Sequence, residues 1–238
     1  MRAALTVGAS FAKAQGDSSR SSTYADAASK VAATLGAHYD SGFIFETQSR
    51  KKDASVICAL NDGYLGDGVF APSGKEAAGT IKTLNQLFCN SFAVNQADTK
   101  AGVPGILYGR YQGDNYAGGN PWILLTSALA ELLYRGAAEV HSGNITMDAD
   151  TYAAWGEVLK LPATFDATSF SSALAGAGDG VLTRLHSHVK DGGFHLNEQI
   201  DRNSGSPMAA KDLTWSYATT LKAVHAREVY YANVVQPL

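Results

Sequence analysis

Apolar residues in this 238-residue chain recur at intervals of three and four, the period of helices packed on one side. Met1 to Gln15 is Ala-rich and helical in pattern with no cap before it, as if it continued an earlier element. A Ser-rich turn from Asp17 to Ser22 leads to a second helix with Tyr24, Ala28, Val31 and Leu35 on one stripe. Lys51 to Leu60 is a third, shorter candidate, followed by the loop DGYLGDG. Ser73 and Glu76 form a capping-box pattern ahead of Ala77, Ile81, Leu84 and Phe88 at helical spacing. A long loop is expected from about Gln96 to Gly119. It ends at Asn120-Pro121, which reads as an N-cap and first helical residue.

The helix from Pro121 to about Val140 is apolar nearly all round, which predicts deep burial. Asp148 or Asp150 caps another, with Tyr152, Trp155 and Leu159 inward. A Ser/Ala/Gly-rich stretch from Thr168 to Asp179 precedes a helix marked by Val181, Leu182, Leu185 and Val189. A second long loop, Asp191 to Ala210, leads to a last helix from about Lys211 to Arg227. Clean period-two alternation is confined to short pieces such as GFIFE, so the expected class is all-α.

Composition narrows the function. Hydrophobic residues are 45% of the chain and the formal charge is -3. There is no Lys/Arg cluster interleaved with aromatics, which argues against nucleic acid as a partner. No apolar run approaches the ~18 residues that span a bilayer, so no membrane partner is expected. The N-terminal segment lacks the apolar core of a signal peptide, and taken literally the chain is not exported. Cys58 and Cys89 sit in helical pattern and read as buried free thiols. Asn144-Ile-Thr is a glycosylation sequon, a triplet that also arises by chance. His186-x-His188 on a helix points its rings apart and chelates poorly. Gly74-Lys75 lacks the rest of a P-loop, and Gly8-Ala-Ser10 lacks the closing Gly of a nucleophile elbow.

The densest chemistry lies in GRYQGDNYAGGNPW, from Gly109 to Trp122. Arg110 and Asp114 supply charge, Tyr111, Tyr116 and Trp122 supply flat faces, and the glycines allow tight turns. Such a loop suits a polyhydroxylated ligand, with rings covering a sugar's C–H face and Arg and Asp addressing its hydroxyls. A surface turn with a structural ion pair fits the spacing as well. In the later loop, Glu198 stands between Asn197 and Gln199, where a carboxylate can serve as a general base or as a solvated surface charge. Trp215, in KDLTWSYA, is either core packing or a sugar platform.

In this order and spacing, GRYQGDNYAGGNPW, NEQID and KDLTWSYA resemble the C-terminal half of fungal glucoamylases, glycoside hydrolase family 15. The similarity starts with RAALTVGASFAKAQG and includes KDASVICALND, so it covers nearly the whole chain. The resemblance implies an (α/α)6 barrel, represented here by roughly its second half, with residues 1–238 as part of one catalytic domain and no second domain. It implies inverting release of glucose from non-reducing ends of starch, maltooligosaccharides or other α-glucans. It implies no cofactor and no metal, a monomer once an N-terminal half completes it, and secretion of the complete enzyme.

Residue by residue, Glu198 matches the family's general base and Arg110 the Arg that binds sugar hydroxyls at the cleavage point. Asp114 and Tyr116 match the Asp and Tyr of the loop that follows, and Trp215 matches the Trp lining the pocket wall. Trp122 is expected to pack the loop onto its helix. Departures from the family pattern are Ile200 in place of a common Tyr, Ala209 in place of a common Ser, and Gly113 in place of an acidic residue. The family's catalytic acid falls in a Glu-Glu segment upstream of the region that resembles Met1 onward. The alternative is a helical remnant without turnover that binds sugar weakly or pairs with another chain.

Overall fold

The helix that is apolar all round, α6 (Ile123–His141), forms the axis of the core in the computed structural model, which describes residues 1–143, 147–162 and 164–235. Leu124, Leu125, Ala128, Leu129, Leu132 and Leu133 are all buried on it, so every face needs a partner. Three helices supply them: α3 (Ser55–Gly63), α8 (Ala167–Val189) and α9 (Thr214–Val235). Two further pairs lie beside this group. One is α1 (Arg2–Ala14) with α2 (Ser18–Leu35), and the other is α4 (Lys75–Ser91) with α7 (Ala149–Leu159). A short helix, α5 (Ala93–Lys100), follows α4 directly. Strand structure among the described residues is limited to two small antiparallel hairpins. The first pairs β1 (Tyr39–Asp40) with β2 (Phe43–Ile44), and the second pairs β3 (Gln199–Ile200) with β4 (Pro207–Met208). The chain is all-α, as its periodicity predicts. No described helix is long and apolar enough to cross a membrane.

Several boundaries differ from the sequence reading, each for a local reason. The Ser-rich segment after Asp17 is helix from Ser18, because the Asp17 carboxylate caps the Arg20 N–H at 2.9 Å. The third helix begins at Ser55 rather than Lys51, since residues 52–54 are paired with the chain around Tyr111. The Ser73/Glu76 capping box does not form. Gly74 is the N-cap, and Ser73 is buried with its N–H and hydroxyl both donated to Glu139 of α6, at 3.1 and 2.7 Å. The Ser/Ala/Gly-rich stretch from Thr168 is the first half of α8. Its small residues let α8 approach α6 closely, and a Cβ on Gly178 would lie 2.8 Å from the Tyr134 ring. Asn120-Pro121 does not start α6 either, because Trp122 occupies the N-cap. Asp148 caps α7 as expected, accepting the Thr151 N–H at 2.8 Å.

Trp155 of α7 is fully buried and its indole N–H donates to the Ser73 carbonyl at 2.7 Å. Cys58 and Cys89 are free but only half-buried. Burial, with the charges of Asp62 and Glu131, pushes the Cys58 thiol up to about 11. The Asn144 sequon lies outside the described residues.

Three of these four core helices, α6, α8 and α9, share one carboxylate. Asp179 on α8 accepts the Tyr134 hydroxyl of α6 at 2.7 Å, and the Tyr231 hydroxyl and Arg227 Nε of α9 at 2.6 Å each. Burial pulls this carboxyl upward, but the donors from Tyr231, Arg227 and Tyr134 outweigh it and hold it below the ordinary range. A depressed carboxylate contributes stability above its unfolded value and loses it as the pH falls through the lower folded value. Asp179→Asn is therefore expected to cost about 1–3 kcal/mol in urea unfolding near neutrality. The gap between variant and parent should shrink from about pH 5 to about pH 3. A gap that is constant over that range would contradict the assignment.

Candidate active site

The loops that hold the predicted site residues meet at the N-terminal end of α6, and backbone hydrogen bonds fix their order. Such pairing is required because buried loop amides cannot be left without partners. Ala54 N–H donates to the Arg110 carbonyl at 2.7 Å, and Gln112 N–H to the Lys52 carbonyl at 3.0 Å. Trp122 N–H donates to the Tyr108 carbonyl at 2.7 Å. On the next side, Ile123 N–H donates to the Glu198 carbonyl at 3.2 Å and Ile200 N–H to the Pro121 carbonyl at 3.0 Å. Glu198 N–H then reaches the Ala210 carbonyl at 2.8 Å, and Leu213 N–H reaches that of Leu196 at 3.0 Å. The first of these segments is held from behind by Asn95 of α5. Its buried carboxamide accepts the Leu107 N–H and donates to the Leu107 carbonyl, each at 2.9 Å.

Arg110 and Asp114 form a two-pronged ion pair, with Nε–Oδ2 at 2.8 Å and Nη2–Oδ1 at 2.6 Å. That leaves Nη1 without a protein acceptor among the described residues. The guanidinium carbon stands 4.7 Å from the Tyr116 ring centre, 5.1 Å from Trp122 and 5.2 Å from Tyr111. Burial draws the Asp114 carboxyl upward, yet the bonds from Arg110 and the Tyr116 N–H prevail and hold it below its ordinary value. The same pair raises Arg110. Gly119 is left-handed (φ 64°), and a Cβ there would sit 2.0 Å from the Asp114 carbonyl oxygen. The Asp114 carboxylate is held toward Arg110 by the Tyr116 N–H, which donates to Oδ1 at 3.0 Å. A cavity of about 350 Å³ opens here, lined by Arg110, Tyr111, Asp114, Asn120, Arg202 and Phe92 among others.

Glu198 is half-buried, and its carboxylate receives the Gln199 Nε2 at 3.3 Å. Tyr116 is exposed and tilted against Trp122, with ring centres 6.0 Å apart. Trp122 packs under the loop as expected, but its buried indole N–H has no partner among the described residues. Trp215 is 57% exposed at the start of α9. The next residue ties that turn to the Glu198 segment, because Ser216 Oγ donates to the Asn197 carbonyl at 2.8 Å. Arg110, Asp114, Tyr116 and Trp122 therefore form one cluster, and backbone pairing brings Glu198 and then Trp215 alongside it. Glu198, Tyr116 and Trp215 do not line the cavity.

Ile200, in place of the Tyr, is fully buried in the core. Ala209, in place of the Ser, has a left-handed backbone (φ 63°). His188 pairs with Asp98 at 2.7 Å while His186 packs on Phe194, so the two rings do part. Among the described residues no group of three or more His, Cys, Asp or Glu is arranged to hold a metal ion.

Sequence reasoning missed three residues. Asn120 reads as a helix cap and Gln199 as a neighbour of Glu198, while Arg202 is given no role in the sequence reading. Instead Asn120 and Gln199 are buried and bonded to each other at 2.9 Å. Arg202 donates to the carbonyls of Gly118 and Gly119 at 3.3 Å each, and also bonds that of Ser91. The signal that could have found Asn120 is its place after two glycines, where a side chain reaches back to the turn.

The sequence model described as Glycosyl hydrolases family 15 matches residues 1–225. Glucoamylase from Blastobotrys adeninivorans is 34% identical, with 95% of this chain and 40% of that protein aligned. Glucoamylase 1 from Rhizopus oryzae is 32% identical, over 95% of this chain and 41% of that protein. Among solved structures, the family 15 glucoamylase from Hypocrea jecorina superposes with a TM-score of 0.83 at 29% identity. The superposition covers 96% of this chain and 41% of that one. The chain thus spans about 40% of the length of the curated relatives it matches. Its helices correspond to part of the (α/α)6 barrel of these neighbours. With a family match that runs through nearly all of its sequence and a backbone that follows the solved members, the chain belongs to glycosyl hydrolases family 15.

Proposed function

We propose that residues 1–238 form the base-bearing part of a single glucoamylase-type catalytic domain. Its reaction is inverting hydrolysis of terminal α-1,4-linked glucose from starch and maltooligosaccharides. The observation that carries this reading is the backbone ladder that sets Glu198 beside Trp122 and, through it, beside the Arg110–Asp114 pair. In that arrangement Asp114 holds the guanidinium in place and the free Nη1 donates to sugar hydroxyls, while the Tyr116 and Trp215 faces cover C–H surface. Glu198 takes a proton from water as the water oxygen bonds to the anomeric carbon from the face opposite the leaving group. The glycosidic C–O bond breaks, and a carboxylic acid protonates the departing oxygen. Under this reading that acid comes from the part of the relatives' length that this chain does not match.

A second reading, a helical module that binds sugar or another chain without turnover, draws on the exposed apolar side chains of Val7, Phe11 and Leu221. Binding without turnover, in a polypeptide carrying the whole of the relatives' length, would favour it.

In such a polypeptide, Glu198→Gln is expected to lower maltose turnover by ~10²–10⁴-fold with the helical circular dichroism unchanged. Turnover within a few-fold of the parent would remove Glu198 from the base role. Arg110→Lys keeps the charge but loses the fork that both grips Asp114 and frees Nη1. It is expected to raise KM for maltose by roughly 10–100-fold. An unchanged KM would show that Arg110 does not touch the sugar.

A further inference from the structure

The cavity of about 350 Å³ beside the Arg110–Asp114 pair is set between the end of α4 and the Gly109–Trp122 loop, and Glu198, Tyr116 and Trp215 stay outside its walls. Its volume lies at the lower end of the ~300–1,000 Å³ of small-molecule sites. Three charged side chains line it: Arg110, Arg202 and Asp114. Asp114 is fully engaged by the loop, because its two carboxylate oxygens take Nε and Nη2 of Arg110 and Oδ1 also takes the Tyr116 N–H. Arg202 donates Nη1 to the Gly118 and Gly119 carbonyls and Nη2 to that of Ser91, so its acceptors carry no charge. Its guanidinium carbon stands 5.4 Å from the Phe92 ring centre, and that ring covers one face of the cation.

Two N–H groups, Nη1 of Arg110 and Nε of Arg202, have no acceptor among the described residues. The walls therefore carry two cations against one anion, a net charge of +1, with a free donor on each guanidinium. Gly113 at the rim is exposed and brings no carboxylate, where the family pattern has an acidic residue.

We infer that this cavity is a site for a compact oxyanion, a phosphate group or the carboxylate of a sugar acid, held by Arg202 and the free edge of Arg110. A neutral sugar would leave the surplus positive charge unbalanced, whereas an oxyanion balances it and accepts from both donors. Arg110 is common to this site and to the sugar site of the proposed reaction. Resting on that reading, the anion competes with sugar for Nη1 and inhibits turnover.

The ¹⁵N-labelled 238-residue chain tests the site directly. Inorganic phosphate and sodium gluconate, each added against sodium chloride of equal ionic strength, are the two probes. At least one is expected to shift the backbone N–H resonances of Gly113 and Gly119 saturably, and which of them binds more tightly tells a phosphate site from a sugar-acid site. Gly113→Asp places a carboxylate where an added Cβ meets nothing within 4 Å, and Asp is among the residues that accept the positive φ of 81°. It should weaken binding at least ~10-fold, as one opposing charge a few ångströms away does. Gly113→Asn, alike in shape and neutral, should stay within about threefold of the parent. Shifts that chloride reproduces, or equal affinity in the Asp and Asn variants, would overturn the site.

In a polypeptide carrying the whole of the relatives' length, the anion that binds should raise KM for maltose and leave kcat unchanged, and Gly113→Asp should remove the effect. Saturating anion with KM unchanged would overturn the competition. If Arg110→Lys also leaves KM unchanged, it is the assignment of Arg110 to the sugar that fails, and the anion site stands on the resonance shifts.

Discussion

The site depends on how the chain approaches α6. That helix is buried on every side, so its first turn cannot be left open to water, and the segment before it must find partners for its amides in protein. Pro121, Trp122 and Ile123 do so by pairing with Tyr108 on one flank and with the Glu198 segment on the other. A requirement of the core, satisfying backbone groups at a buried helix start, thereby brings two loops far apart in sequence to a common edge. The residues placed for chemistry are attached to that edge rather than to flexible excursions from it.

Electrostatics at this edge is arranged to keep charges available yet oriented. Asp114 meets Arg110 with both carboxylate oxygens and Arg110 answers with two of its nitrogens, so each charge is balanced while Nη1 has no acceptor among the described residues. Glu198, by contrast, has no cation against it among the described residues, and its bonded neighbour is an amide. Under the proposed reading, the amide orients the base without pairing it to a cation. The difference between the two acidic residues follows from what each one faces.

Much of the helical architecture was legible in the sequence, because periodicity reports burial and burial decides packing here. The stripe of Ala77, Ile81, Leu84 and Phe88 is buried as its spacing requires, and so is α6 from Ile123 to Tyr134. Helix starts were less legible. Ser73 and Asn120 both carry cap chemistry, yet each spends its hydrogen bonds on a partner far along the chain, Glu139 in one case and Gln199 in the other. A capping pattern is a local signal, and it loses where a buried distant group has a greater need. The Ser/Ala/Gly stretch at the start of α8 misled for the opposite reason, since small residues weaken a helix in isolation but permit the close approach that Tyr134 demands. At the site, the residue types of the Arg110 loop could be read directly. The polarity of the Asn120–Gln199 contact could not, since it is defined only when residues 79 positions apart meet.

The chain has three tryptophans, and they occupy three different settings: Trp155 in the core, Trp122 under the Arg110 loop with an indole N–H that has no partner among the described residues, and Trp215 exposed beside the Glu198 segment. The most direct test of the account is to follow their indole N–H resonances in ¹⁵N-labelled chain while maltose is added. Saturable shifts at Trp122 and Trp215, with Trp155 unmoved, are the predicted result. Shifts at neither, or an equal shift at Trp155, would contradict the placement of a sugar site at the N-terminal end of α6.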